Sequence, residues 1–268
     1  MTAAGTSATA AAIGVFDSGI GGLSVVREIR QLLPHEDILY YADSRYCPYG
    51  GLSAAEITAR ALAITDELLA AGVKLIVVAC NTATIAAVER LRATYPLSFV
   101  GIEPAIKPAV AQTRSGVVGV LATGAALSGE KFLRLSAQHA QNVRVITQPC
   151  PGLVEFVERG ELDSPALRAA LHGYIAPLLA QQADTLVLGC THYPFLRPVI
   201  EALVGPQVVL LDTGAAVAQQ TLRILTREKL LSSVPRHGVL QWRTSGDRAA
   251  VAAVVGRLLP PEGDNFPT

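Results

Sequence analysis

Short apolar runs alternate with longer amphipathic segments along most of the chain. In the first third, each run is followed by a segment whose apolar residues recur at helical spacing. The predicted strands are residues 13–16, 38–42 and 74–79, and the predicted helices are residues 24–33, 53–71 and 82–94. Ser53, with Glu56 three residues later, predicts a capping box at the start of the second helix. This alternation is typical of an α/β protein with mainly parallel sheets flanked by helices.

The pattern of the first half recurs in the second. Residues 118–124 are similar to residues 13–19, about 105 positions earlier, and the segment around Cys190 is similar to that around Cys80 at an offset of about 110. Two matches at nearly one period indicate a duplicated α/β unit. We therefore predict two similar lobes related by a pseudo-twofold axis.

The chain has two candidate crossings between these lobes, at residues 101–108 and 211–214. A helix, a strand and a further helix are predicted after the second crossing, and we expect them to pack back on the first lobe. The predicted domains are a discontinuous first lobe, residues 13–103 plus 213–259, and a second lobe, residues 104–212. Residues 1–12 and 260–268 are predicted to be disordered tails.

Composition narrows the class of protein. Half of the 268 residues are hydrophobic and only 16% are charged, so a sizeable core is expected. The 22 basic side chains balance 22 acidic ones, which argues against a nucleic-acid partner. No apolar run reaches the roughly 18–20 residues of a membrane span, and the N-terminus lacks the features of a signal peptide. Because the four cysteines are widely spaced, we expect reduced thiols in a cytoplasmic protein with no membrane partner.

Cys80 and Cys190 each end a predicted strand at the point where a helix is expected to begin. A helix N-terminus favours a thiolate, so we expect a lowered thiol pKa at both positions. Asn81, Thr82 and Thr191 place hydrogen-bond donors beside the sulfurs, and such groups suit a bound carboxylate. An isolated buried cysteine is usually structural. Two thiols on opposite faces of one carbon, however, can remove a proton from one face and return it on the other.

Other candidate side chains lie close to the predicted strand ends. Asp17 opens a glycine-rich turn, residues 17–22, which either binds an anion through backbone N–H groups or simply turns the chain tightly. Ser24 stands where a dinucleotide loop would have its third glycine. His192 lies two residues after the second cysteine and is able to orient or protonate a neighbour. Glu158 ends a predicted short helix, where a solvated surface position is the alternative.

A polar, aromatic loop is predicted at residues 43–50. It either closes over a small ligand or is an ordinary surface loop. Cys47 within this loop, and Cys150 elsewhere, are expected to pack as small hydrophobic side chains.

A metal or an organic cofactor is not expected. A zinc site from Cys80, Cys190, His192 and Asp17 is compatible with the ligand types that zinc prefers, but zinc sites usually show more closely spaced ligand pairs. The lysines do not lie in contexts that indicate a Schiff base with a pyridoxal cofactor. We therefore predict no metal and no cofactor.

Together, several of these loops resemble those of the glutamate racemases, the cofactor-independent branch of the aspartate/glutamate racemase superfamily. The resemblance lies in residues 17–22, 48–50, 79–83 and 189–194, with a weaker match at residues 157–160. The Gly-Cys-Thr-His-Tyr-Pro segment at 189–194 is the most specific. The matches follow the family's order and spacing through nearly the whole chain. Aspartate racemases typically carry an acidic residue where His192 stands, so His192 indicates glutamate.

This resemblance implies that two thiols racemise L-glutamate to D-glutamate in a cleft between the two lobes. Cys80 would act as the base on D-glutamate with the support of Asp17. Cys190 would act as the base on L-glutamate with the support of Glu158 and His192. The residues implied to bind the amino acid are Asp17, Ser18, Tyr49, Gly50, Asn81, Thr82, Thr123, Thr191 and His192.

The resemblance also implies a cellular role. The family's product enters cell-wall peptidoglycan, so a bacterial cytosolic enzyme with a small-molecule substrate is expected, and a homodimer is left open. The chain departs from the family pattern at Ala126, where a second threonine is common. Because Thr123 is kept, we expect weaker substrate binding rather than a different reaction.

Three alternatives stay open. The first is racemisation of another amino acid, such as aspartate. The second is a thiol hydrolase or transferase with Cys190 as nucleophile and His192 as base, although side chains two residues apart need not face each other. The third is a non-catalytic, two-lobed amino-acid binder.

Overall fold

The computed structural model describes residues 8–127, 137–138, 140 and 142–259. Strands alternate with helices throughout this part of the chain. The strands are β1 (Ile13–Asp17), β2 (Ile38–Ala42), β3 (Leu75–Val78), β4 (Phe99–Gly101), β5 (Val117–Ala122), β6 (Arg144–Pro149), β7 (Thr185–Leu188), β8 (Val209–Leu211) and β9 (Leu240–Thr244). The helices are α1 (Leu23–Leu32), α2 (Ala54–Ala70), α3 (Asn81–Thr94), α4 (Ile106–Gln112), α5 (Gly124–Leu127), α6 (Leu153–Glu158), α7 (Pro165–Ala180), α8 (Arg197–Val204), α9 (Gly214–Arg227) and α10 (Arg248–Leu258). Short 3-10 helices lie at Ala8–Ala10, Ser44–Tyr46, Tyr49–Gly51 and Tyr193–Leu196.

The strands form two parallel sheets with the same internal order. The first sheet has the order β4-β3-β1-β2-β9, and the second has the order β6-β5-β7-β8. Every strand pair is parallel. Strands β1 to β4 therefore correspond to β5 to β8, with β9 as an addition to the first sheet. The predicted fold class, two similar α/β lobes with parallel sheets flanked by helices, is confirmed.

The central strands are continuous apolar runs because helices cover both faces of each sheet. All residues of β1, β2 and β3 are buried, as expected for a parallel sheet. Apolar side chains of β1 and α1 share one core cluster with side chains of β7. This continuous apolar packing holds the two sheets close to each other.

The sequence predicts several element ends well. β2 has the predicted bounds, and Ser53 caps α2 in a capping box, with Glu56 N–H donating to Ser53 Oγ at 3.3 Å and Ser53 N–H donating to Glu56 Oε2 at 2.8 Å. The expectation that a helix begins at Cys190 is wrong. A 3-10 helix, Tyr193–Leu196, follows instead, and α8 starts only at Arg197. Each of these two helices has a proline near its start, Pro194 and Pro198. Because proline has no backbone N–H group to donate, the segment does not form one continuous regular helix.

The two chain ends were predicted to be disordered. Residues 1–7 and 260–268 lie outside the described residues. The prediction does not hold for residues 8–12, because Ala8–Ala10 forms a 3-10 helix and the Lys74 ammonium donates a hydrogen bond to the Thr9 carbonyl at 2.9 Å. None of the helices in the described part of the chain has the length and hydrophobicity that a membrane crossing requires.

The last part of the described chain returns to the first sheet. β9 pairs in parallel with β2, from Ile38 opposite Leu240 to Ala42 opposite Thr244, and α9 packs against α1. We propose the domain boundaries as predicted, residues 13–103 plus 213–259 and residues 104–212, and this pairing supports them.

A buried ion pair fixes the edge where the strands of the first sheet begin. Lys74 Nζ lies 2.5 Å from Glu36 Oε2, and each side chain is only 2% exposed. Glu36 Oε1 accepts a hydrogen bond from the Ser232 N–H at 2.7 Å. The pair therefore joins the loops before β2 and β3 to the segment that leads into β9.

Lys74→Met is expected to lower the free energy of unfolding by about 3–5 kcal/mol, because it leaves the Glu36 carboxylate buried without its cation. Urea unfolding followed by circular dichroism measures this loss. Arg168→Met, which removes an exposed pair with Asp163, is the control and should change little. Equal losses in the two variants would contradict the structural role of the buried pair.

Candidate active site

The candidate site lies where the carboxyl ends of the two sheets meet. Asp17 is the last residue of β1. Cys80 and Cys190 each follow the end of a central strand, β3 and β7, by two residues. Thr123 follows β5 directly. Parallel α/β sheets place their ligand sites at this edge, and here two such edges face each other.

Both thiols line one small cavity between the sheets. Its volume is about 10 Å³, whereas a single water needs roughly 10–15 Å³. The residues that line it are Ser18, Pro48, Tyr49, Gly50, Cys80, Asn81, Thr82, Thr123, Val154, Gly189, Cys190, Thr191 and His192. Larger cavities of about 600 and 730 Å³ lie elsewhere, but neither is lined by a thiol. An amino acid would fit between the thiols only if the two sides moved apart.

Cys80 caps helix α3. Its sulfur accepts a hydrogen bond from the Ala83 N–H at 3.5 Å and donates one to Ser18 Oγ at 3.8 Å. The expected lowering of its pKa is wrong. Burial, and then the negative charge of Asp17, raise the pKa of the Cys80 thiol well above its usual value. Desolvation of the thiolate therefore outweighs the helix N-terminus.

Asp17 is fully buried and accepts hydrogen bonds from both halves of the site. Its carboxylate accepts from the N–H groups of Ser18 and Gly22, both at 2.7 Å. It also accepts from the Thr191 hydroxyl, on the other side of the cavity, at 3.1 Å. Burial raises the pKa of Asp17, although the charge of His192 and a hydrogen bond with Cys80 oppose the shift. Asp17 thus lies beside Cys80, as predicted.

The second thiol, Cys190, contacts His192, which in turn contacts Glu158. Cys190 Sγ lies 3.7 Å from His192 Nδ1, and His192 Nε2 lies 2.6 Å from Glu158 Oε1. Glu158 Oε1 also accepts a hydrogen bond from the Ile20 N–H at 2.8 Å. The concern that Cys190 and His192 do not face each other is therefore removed, and Glu158 is not a solvated surface residue.

The positive charge of His192 and the negative charge of Glu158 stabilise each other. Burial by itself would lower the pKa of His192, but hydrogen bonds with Cys190, Cys47 and Glu158 together raise it well above its usual value. Burial opposes ionisation of Glu158, yet its hydrogen bond and charge interaction with His192 lower its pKa. The site therefore holds an imidazolium against a carboxylate, next to the Cys190 sulfur.

The other residues that were predicted to bind the amino acid also line the cavity. They are Ser18, Tyr49, Gly50, Asn81, Thr82, Thr123 and Thr191. The Thr82 and Thr123 hydroxyls are 3.3 Å apart, so they bridge the two sides. Ala126 is buried in an apolar cluster that includes Ala122 and Val120.

One anchor of the cavity wall was missed by the sequence analysis. Buried Asp43 accepts a hydrogen bond from the Tyr49 hydroxyl and two from the Arg60 guanidinium, at 2.8 and 2.9 Å. This bidentate pair fixes the loop that carries Tyr49 and Gly50 to helix α2. Nothing in the sequence pairs Asp43 with Arg60, because their contact depends on how α2 packs.

Cys47 packs against the main apolar cluster, as predicted. Its sulfur also lies within 4.8 Å of donor atoms of His192 and Glu158, and burial raises the pKa of its thiol to about 12. In the sequence, the position of Cys47 directly before the Pro48-Tyr49-Gly50 segment was the feature that could have placed this thiol near the site.

The glycine-rich turn, residues 17–22, binds side chains of the protein itself. Its N–H groups bind the carboxylates of Asp17 and Glu158, so the turn is not a nucleotide loop. A methyl group at Gly21 would lie 2.3 Å from His192 Nδ1. Glycine is required here because the His192 ring packs directly against the turn.

Comparison with known proteins identifies the family. A family model described as Asp/Glu/Hydantoin racemase matches residues 13–221. The chain is 59% identical to the glutamate racemase of Herpetosiphon aurantiacus over 242 residues, which cover 90% of this chain and 95% of that protein. It is similar to the solved Escherichia coli glutamate racemase in complex with L-glutamate (33% identity, TM-score 0.81, 92% of this chain and 95% of that one covered). The Francisella tularensis glutamate racemase in complex with D-glutamate is also similar (27% identity, TM-score 0.81, 95% and 96% covered). The chain belongs to the Asp/Glu/hydantoin racemase family, as its motifs predicted.

Gly21→Ala is expected to displace the His192 ring and to lower the free energy of unfolding by about 1–3 kcal/mol through overpacking. Urea unfolding and the NMR signals of the His192 imidazole report these two effects. Gly51→Ala is the matched control, since a methyl group there meets nothing within 4 Å. An unshifted His192 signal in Gly21→Ala would contradict the packing described.

Proposed function

We propose that this protein interconverts L- and D-glutamate without an organic cofactor, with Cys80 and Cys190 as the two acid/base groups. The observation that carries the proposal is the position of the thiols. They follow corresponding strands of the two sheets and line the same cavity. A planar carbanion held between them can lose a proton to one sulfur and receive a proton from the other.

Glutamate is the proposed substrate because the most informative relatives act on it. The similar Escherichia coli and Francisella tularensis proteins are glutamate racemases solved with L-glutamate and D-glutamate, respectively. The cavity also offers donors for an amino acid's charged groups. Those donors are Ser18, Asn81, Thr82, Thr123 and Thr191.

The two thiols have different helpers. On one side, Asp17 takes up and returns the Cys80 proton. The raised pKa values of both groups favour this exchange, because a buried thiolate is a stronger base than an exposed one. In this proposal, Cys80 removes the α-proton of D-glutamate.

On the other side, Cys190 removes the α-proton of L-glutamate. His192 Nδ1, 3.7 Å from the sulfur, carries the proton for this thiol. Glu158, bonded to His192 Nε2, orients the ring and balances its charge.

Closure of the site contributes to the reaction. The α-proton of an amino acid is a far weaker acid than a thiol, so the site has to stabilise the carbanion. Exclusion of water strengthens the fixed donors around the substrate carboxylate. The cavity of about 10 Å³ is too small for the substrate, so the two sides move apart to admit the amino acid and then close around it.

In the cell, the product D-glutamate would supply peptidoglycan synthesis in the bacterial cytoplasm. This role follows from the proposed reaction and from family membership. A homodimer stays a prediction.

Incubation with L-glutamate in deuterated water is expected to yield D-glutamate and to place deuterium at Cα. Parallel incubation with L-aspartate is expected to leave its α-hydrogen in place. Proton NMR and chiral chromatography measure the two outcomes. Deuterium in aspartate alone would make the proposed substrate wrong, and a lack of exchange in both would favour a binding protein.

In the same assay, Cys80→Ala and Cys190→Ala are each expected to reduce racemisation at least about 100-fold, the usual contribution of a general acid or base. Circular dichroism should show an intact fold. Cys150→Ala, at a buried thiol away from the cavity lining, is the control. Full turnover in both directions by either Cys80→Ala or Cys190→Ala would contradict the two-thiol reaction, and a trapped acyl-thiol adduct on Cys190 would favour a thiol hydrolase or transferase.

A further inference from the structure

We propose that Cys47, Glu158 and His192 bind a soft divalent metal ion, such as zinc, and that the bound ion inhibits the enzyme. The inhibition rests on the proposed racemase function. The binding of the ion does not, because it depends only on the three donor groups.

The donors form a compact group. The sulfur of Cys47, a carboxylate oxygen of Glu158 and a ring nitrogen of His192 all lie within 4.8 Å of one another. In a tetrahedral zinc site with these ligand types, bond lengths near 2.0–2.3 Å place donor atoms about 3.3–3.8 Å apart. The three donors therefore surround one ion when the Cys47 side chain rotates and the 2.6 Å contact between His192 Nε2 and Glu158 Oε1 opens to this spacing.

Three separate segments hold these donors. Cys47 lies between two 3-10 helices in the loop that Asp43 and Arg60 anchor to α2. Glu158 is the last residue of α6, and its carboxylate is also held by the Ile20 N–H. His192 follows β7 and is buried. Because each donor is fixed by its own segment, little ordering is required when the ion binds.

The glycine-rich turn leaves room for the group. A methyl group at Gly19 would lie 2.0 Å from Glu158 Oε1 and 2.7 Å from Cys47 Sγ, so only glycine permits the two donors to meet there. The group is also reachable from solvent. Cys47 is partly exposed, and the Glu158 side chain is 21% exposed. The fourth coordination position is left for water.

The ligand types select the metal. One thiolate, one imidazole and one carboxylate suit zinc or cobalt(II), whereas magnesium and calcium prefer oxygen ligands alone. On binding, the Cys47 thiol and the Nε2 position of the His192 imidazolium release their protons to solvent. The ion then replaces the 2.6 Å contact between His192 Nε2 and Glu158. The His192 ring would then lose the direct Glu158 contact that holds its Nδ1 3.7 Å from the Cys190 sulfur, and this loss is the proposed cause of the inhibition.

Cobalt(II) is the probe for the site, because a thiolate ligand gives it a charge-transfer absorption band. Titration of the reduced full-length protein is expected to produce this band with one equivalent of cobalt, and zinc should displace it. Cys47→Ser should lose the band and bind cobalt at least tenfold more weakly, with Cys47→Ala as a second variant. Cys80→Ser and Cys150→Ser, which alter thiols outside the group, are the controls and should keep the band.

No band in the wild-type protein, or a band that survives in Cys47→Ser, would overturn the proposal. Loss of the band in Cys80→Ser instead would place the metal on a catalytic thiol and would also overturn it. Racemase assays then test the inhibition separately, since zinc should inhibit the wild type at lower concentration than Cys47→Ser. If the protein has no racemase activity, the proposed function fails, but the cobalt titration still decides whether the metal site exists.

Discussion

The carboxylate of Asp17 accepts hydrogen bonds from the turn after β1 in the first sheet and from Thr191, which follows β7 in the second sheet. A buried carboxylate is costly unless such bonds satisfy it, so these bonds stabilise the closed arrangement of the two halves of the site. Two further bonds reinforce it. Ser24 Oγ donates to the Thr191 carbonyl at 2.8 Å, and the Ile20 N–H donates to Glu158 at 2.8 Å. The position of each thiol relative to the other depends on these contacts.

The fold is repeated, but the chemistry on its two sides is not. Cys80 and Cys190 follow corresponding strands, yet Cys80 lies beside a carboxyl group and Cys190 beside an imidazolium paired with Glu158. This difference fits a reaction in which two mirror-image substrates approach the same site. Each thiol has its own route for gaining and losing a proton, while the pseudo-symmetric backbone supplies donors on both sides of the carbon.

The sequence predicts the strands, the capping box at Ser53 and the position of both thiols, because these depend on local periodicity and on where a strand ends. It fails where the outcome depends on packing. The pKa of Cys80 is raised because desolvation outweighs the helix N-terminus, and a sequence does not reveal burial depth. The pairing of Arg60 with Asp43 and the approach of Cys47 to His192 also depend on how distant segments pack. The helix expected after Cys190 was wrong for a local reason, the two prolines that divide it.

A crystal structure of the protein with glutamate bound tests the central claim most directly. We expect Cα to lie between the two sulfurs, which approach it from opposite faces at about 3–3.5 Å, as a near-attack geometry requires. We also expect a cavity wide enough for the amino acid between the Cys80 and Cys190 sides. A bound glutamate with both sulfurs on one face of Cα, or with Cα distant from either sulfur, would contradict the two-thiol site.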